Sequence, residues 1–187
     1  MSTKLISPPS PEIVTLADAK LHLRVDHADE DALIGSLITS ARLQAEHATG
    51  RAFGQQVREL IIDRFPVGEI RLPGTPVTAI DSVTYVDADG VTQTMASAAY
   101  VLDDASVPSW LLPASGTDWP ENYDTANAVR IRYTCGHVAA EVADVCTWIL
   151  LHVGNWYRNR ESVNVGSTLG TMPYIDGLLD RYRIWSL

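Results

Sequence analysis

The sequence predicts an α+β protein. Its core is helical, an αα-hairpin plus a long third helix, with a small antiparallel β-sheet inserted between them and a short C-terminal helix and tail. Three observations carry this expectation. From Asp29 to Arg51 the residues Leu33, Ile34, Leu37, Ile38, Ala41, Ala45 and Ala48 recur every three to four positions, the repeat of one helix face. After Gly50 the pattern changes to short alternating runs punctuated by Pro and Gly. Val138 to Tyr157 then returns to helical period through Val142, Val145, Cys146, Ile149, Leu150 and Val153.

Taken in order, residues 1–14 read as a mobile N-terminal arm, because Ser7 to Pro11 holds three prolines in five residues. Residues 15–51 form the αα-hairpin. Thr15 is its N-cap, with Asp18 three residues on as in a capping box, and a short helix runs from Leu16 to Leu23. Asp29, Glu30 and Asp31 then open the long helix, where the positive end of the helix dipole favours carboxylates. Gly50 closes it, free to adopt a left-handed conformation.

Residues 52–136 form the β insertion. Its expected strands are the run around Val57 to Asp63, Ile70 to Leu72, Ala79 to Val86, Val91 to Met95, Tyr100 to Leu102, Trp110 to Leu112 and Val129 to Tyr133. Asp87-Ala88-Asp89-Gly90 begins like a calcium loop but lacks the closing glutamate, so a tight hairpin turn is the better reading. Residues 137–160 form the third core helix. Residues 161–187 are a flexible loop, Glu161 to Met172, followed by a last short helix from Pro173.

Composition narrows the function. With 14 basic and 23 acidic side chains the net charge is −9, which disfavours gripping nucleic acid through its phosphates. No run is long and apolar enough to span a bilayer. The opening MSTKLISPPSPEIV has no apolar signal-peptide region. Cys135 and Cys146 form no ligand pattern and are expected to be reduced, in a cytoplasmic protein. Five histidines, His22, His27, His47, His137 and His152, show no metal-ligand spacing. No nucleophile motif or glycine-rich phosphate loop is present, so no catalytic, cofactor or metal residue is assigned. A DNA-reading helix-turn-helix is disfavoured because three carboxylates would meet the groove. Beyond the loop, Tyr174, Ile175, Leu178, Leu179, Tyr182, Ile184 and Trp185 concentrate apolar and aromatic groups, with Arg181 and Arg183 beside them. They read either as a helix folded on its own core or as an anchor for another protein.

Leu16 to Asp26, Asp29 to Ile34 and Glu46 to Arg51, in that order, resemble the head–tail connector (adaptor) family of tailed bacteriophages. The Val83 to Gly90 hairpin, Tyr133-Thr134-Cys135-Gly136, Asn155 to Glu161, and Met172-Pro173-Tyr174 with Leu178-Leu179 and Tyr182-Arg183 resemble its longer members, which carry a β insertion. One departure is His137-Val138-Ala139-Ala140, where the family pattern has a proline before the third helix.

The resemblance implies a structural virion protein without enzymatic activity or cofactor. Such a protein forms a homo-oligomeric ring of about twelve copies below the portal protein, in phages, prophages and gene transfer agents. DNA passes through the ring without specific binding, and the head-closure or tail protein docks on it. It implies a location at the head–tail junction, after synthesis in the bacterial host cytoplasm. Pro173, Tyr174, Ile175, Leu178, Leu179, Tyr182, Arg183, Ile184 and Trp185 would then bind the portal, and deleting residues after Met172 would remove that binding while leaving the fold intact. Asp26, Asp29, Glu30 and Asp31 would include the acidic residues facing the channel. Two alternatives remain open at this point: an enzyme with dispersed catalytic residues, and another virion ring such as a head-closure protein.

Overall fold

The computed structural model describes residues 2–159, 175 and 177–184. The chain divides into a sheet unit, Met1–Ser10 with Gly54–His137, and a helical unit, Pro11–Phe53 with Val138–Leu187.

The sheet unit holds two antiparallel sheets where one was expected. Strands β1 (Ser2–Ser7), β2 (Gln56–Ile62), β4 (Val77–Val86), β5 (Thr92–Thr94) and β8 (Val129–Cys135) form the first, in the order β1-β2-β8-β4-β5. Strands β3 (Ile70–Leu72), β6 (Tyr100–Asp103) and β7 (Ser109–Pro113) form the second, in the order β3-β7-β6. The centre of the larger sheet is β8. Its Val129, Ile131, Tyr133 and Cys135 are buried, while Arg130 and Arg132 point outward. Those two arginines share Glu59 on β2, at 3.3 and 3.1 Å, a cross-strand charge pairing that favours this register.

The N-terminal arm is corrected. Ser2–Ser7 is a strand, paired antiparallel with β2 so that Lys4 stands opposite Glu59. Its backbone groups find partners on the open edge of β2, a gain that local reading cannot register because the two strands are far apart in sequence. The prolines act only after it, at Pro8, Pro9 and Pro11.

The Asp-Gly turn has the expected form. Gly90 has φ +82°, and the Asp87 carboxylate accepts from the Asp89 and Val91 amides and the Gln93 side chain at 3.1, 2.9 and 2.7 Å. The Gln93 bond and then the Val91 amide hold that carboxyl below the usual aspartate range.

The helical unit contains α1 (Leu16–Leu23), α2 (Asp31–Thr49), α3 (Ala143–Arg158) and a C-terminal 3-10 helix (Gly177–Tyr182). The capping box is complete: Thr15 Oγ1 accepts from the Asp18 amide at 3.1 Å, and Asp18 accepts from the Thr15 amide at 3.2 Å. α2 starts at Asp31, later than expected, and ends at Gly50 with φ +74°. α3 starts at Ala143 after a 3-10 turn at Ala139–Glu141. One apolar core joins Ala19 of α1, Ile34, Ile38, Ala41 and Ala45 of α2, and Val145, Trp148, Ile149 and Val153 of α3. The expected loop from Glu161 to Met172 lies outside the described residues.

Candidate functional site

The sequence nominated two places in the helical unit: the C-terminal segment and the acidic residues at the α1–α2 turn. The C-terminal segment packs against its own unit. Ile175, Leu179 and Tyr182 are buried in the apolar core, Leu178 is partly buried against it, and Phe53 meets Tyr182 edge-on at 5.8 Å between centroids.

Polar bonds lock this packing. The Arg51 Nε–H donates to the Tyr182 carbonyl at 2.6 Å, and the Ile184 amide donates to the Thr49 carbonyl at 3.0 Å. Tyr182 Oη donates to Asp144 Oδ1 at 2.7 Å, and Arg181 pairs with Asp144 at 2.8 Å. Burial, opposed by Tyr182, lowers the Arg51 guanidinium below its ordinary value.

Of the residues nominated as an anchor, Leu178, Arg183 and Ile184 keep partial exposure, and the adjacent Arg181 is exposed. Pro173, Tyr174 and Trp185 lie outside the described residues. The expectation that removing everything after Met172 spares the fold is corrected, since that cut deletes Ile175, Leu179 and Tyr182 from the core.

The acidic turn is also divided by the fold. Asp31 pairs with Lys20 at 2.6 Å, and Glu30 accepts from the Tyr157 hydroxyl. Asp26 and Asp29 are exposed, Asp29 near the exposed His27 at 3.6 Å.

Sequence reading missed an ionic knot beneath this surface. Arg42, 1% exposed, donates to Glu12 at 2.7 Å and to Glu46 at 3.0 Å. Thr39 donates to the same Glu12 at 3.1 Å, and Glu46 also accepts from the Phe53 amide at 2.9 Å. The knot ties the segment entering the helices and the segment leaving them to the middle of α2. Its only local signal is the Arg42–Glu46 spacing of four.

The sheet unit has a groove of about 710 Å³ between the loops around Phe65 and Trp119. The two rings stack at 5.1 Å, and Trp119 Nε1–H donates to the Gly68 carbonyl at 2.6 Å. Its rim carries Asp118, Glu121 and Asp124. Among the described residues no group of three or more His, Cys, Asp or Glu could hold a metal ion. Among the described residues no helix is long and apolar enough to cross a membrane. Cys135 is buried, and burial first, then Asp144, raises the Cys146 thiol above its ordinary value.

Comparison with known proteins bears on these surfaces. Residues 13–99 match a family model described as phage gp6-like head-tail connector protein. No curated protein matches the chain. Three solved structures match along 100% of this chain and 97% of theirs, each at 23% identity. They are a chain in the neck of an empty gene transfer agent particle computed with C6 symmetry, TM-score 0.82, and one in the virion of the native particle, TM-score 0.83. The third is a chain in the neck of the native particle computed with C12 symmetry, TM-score 0.79. The chain is thus similar to a head–tail connector family model over residues 13–99, just under half of its length, and shares its fold along its whole length with chains of gene transfer agent particles.

Proposed function

We propose that this protein is a structural virion component, a head–tail connector that forms a ring below the portal of a filled capsid. The observation that carries this reading is the full-length fold match to chains in a gene transfer agent neck. The connector family match over residues 13–99 supports it independently of the fold. The protein is not an enzyme in this reading, and it needs no cofactor.

The ring holds about twelve copies, a closed head-to-tail assembly of one chain. The C6 and C12 symmetries used for the matched necks fit such a count. DNA passes through its centre, and the head-closure or tail protein docks on it. A net charge of −9 suits a channel through which phosphates slide, because clustered cations would hold them. Asp26 and Asp29 are the carboxylates best suited to face the DNA, since Glu30 and Asp31 are engaged by Tyr157 and Lys20. The portal meets the outward part of the C-terminal segment, Leu178, Arg183 and Ile184.

Native mass across a concentration series, with and without the portal protein, tests the reading. A closed species near twelve subunits, alone or on the portal, is the expected result. A chain that stays monomeric in both conditions and fails to bind the portal overturns it. The channel assignment has its own test. Reversing Asp26 and Asp29 to Lys is expected to slow DNA ejection from assembled particles, and more so at low salt. Unchanged ejection and packaging retention would remove those two residues from the channel.

A further inference from the structure

The outward face of α2 carries no charge. The helix has three charged residues, and all are engaged elsewhere: Asp31 pairs with Lys20 at 2.6 Å, and Arg42 and Glu46 sit in the knot at 1% and 8% exposure. The exposed positions, including Leu33, Ser36, Ser40, Leu43, Gln44 and His47, hold no Lys, Arg, Asp or Glu. Leu33 is 37% and Leu43 48% exposed. A helix that faces water ordinarily carries its charges outward. Loss of charge around exposed leucines is instead the composition of an interface core.

The same unit offers a matching recess. Between α1 and α3 lies a groove of about 490 Å³ whose apolar lining includes Ile13, Val14, Leu21, Ala143 and Leu150. Leu21 at its edge is 80% exposed. Its ionisable residues are Asp18, already engaged by Thr15 in the N-cap, with His22 and Cys146. The groove is lined from α1, α3 and the segments that precede them, with no residue of α2, so it and the outward face of α2 are separate surfaces of the three helices. One is an apolar groove and the other an uncharged ridge.

We propose that the occupant of the groove is the α2 ridge of a second copy of this chain. The contact is heterologous, so each copy keeps one ridge and one groove free and the series continues until it closes into a ring. The inference rests on the ring reading above and supplies its subunit contact. Size supports a repeated contact over a tight pair. Nineteen helical residues present a strip of roughly 28 by 10 Å, well under the roughly 800 Å² per partner of a stable pair. Single contacts are therefore weak, and closure stabilises the assembly.

The test compares the wild-type chain with Leu43→Glu on the ridge and Leu21→Glu on the groove, by native mass spectrometry and sedimentation over a wide concentration range. Both positions are exposed, so circular dichroism and melting temperature are expected to stay at wild-type values. Leu33→Glu and Ala143→Glu replace either variant that fails to fold. Each variant alone is expected to be monomeric where the wild type is fully assembled. Mixed in equal amounts they form a one-to-one dimer only at the top of the concentration range, and it does not grow, because one intact ridge meets one intact groove and two spoiled surfaces remain. Rings formed by both variants overturn this interface and leave the connector reading standing. A groove variant that assembles while the ridge variant does not shows that the ridge meets something else, and also overturns it. A wild-type chain that assembles neither alone nor with the portal protein removes the ring reading and this contact together.

Discussion

Arg42→Ala is expected to destabilise the helical unit by about 3–5 kcal/mol, the cost of leaving buried carboxylates without their cation. For a chain of this size that corresponds to a melting temperature lower by on the order of 10 °C. The reason is geometric. Arg42 is 1% exposed and bridges Glu12 and Glu46, so its removal leaves two carboxylates facing each other across the space it filled. Glu46 is itself only 8% exposed and must still accept the Phe53 amide. Replacing Arg42 by Met together with Glu46 by Gln and Glu12 by Leu is expected to recover much of the loss, because it removes the charges with the cation. Thermal denaturation of the two variants checks this. An Arg42→Ala chain that melts within a degree or two of the wild type would show that the knot contributes little.

The second large effect is expected at the C-terminal segment. Leu179→Ala should cost about 2–5 kcal/mol, the range for emptying a leucine site in a packed core, since Leu179 is 1% exposed. Truncation after Met172 should cost more. It also removes Ile175 and Tyr182 and deprives the half-buried Arg51 of the Tyr182 carbonyl. Circular dichroism of the truncated chain is expected to show a loosened helical unit, and a native-like melt would contradict the packing described above. Loss of portal binding by that truncation would therefore not identify the portal contact. Arg183→Glu is the cleaner probe, because Arg183 is partly exposed and its ion pair is with the neighbouring Asp180 at 3.2 Å.

Several clear departures from ordinary acidity follow from structural bonds or burial. Asp87 and Asp103 are lowered by bonds within their own turns, and Tyr133 is raised by burial.

The sequence by itself determined what depends on near neighbours. The Thr15–Asp18 capping box, the Gly50 terminus, the Asp87–Gly90 turn and the alternation of Arg130 and Arg132 in β8 all arise within a few residues, where periodicity and turn chemistry act. The apolar content of the C-terminal segment was equally plain. Its direction was not, because Leu179 and Tyr182 suit an outside partner or an inside core equally well, and only packing against α2 and α3 decided between them. Distance in sequence hid the rest. β1 became a strand because β2 offered an open edge, Arg42 found Glu12 thirty residues away, and Trp119 found Gly68 fifty-one residues away. The charge on α2 shows the division most clearly: the residues of the helix could be read off the chain, but which face met water was settled by the partners that drew its three charges aside.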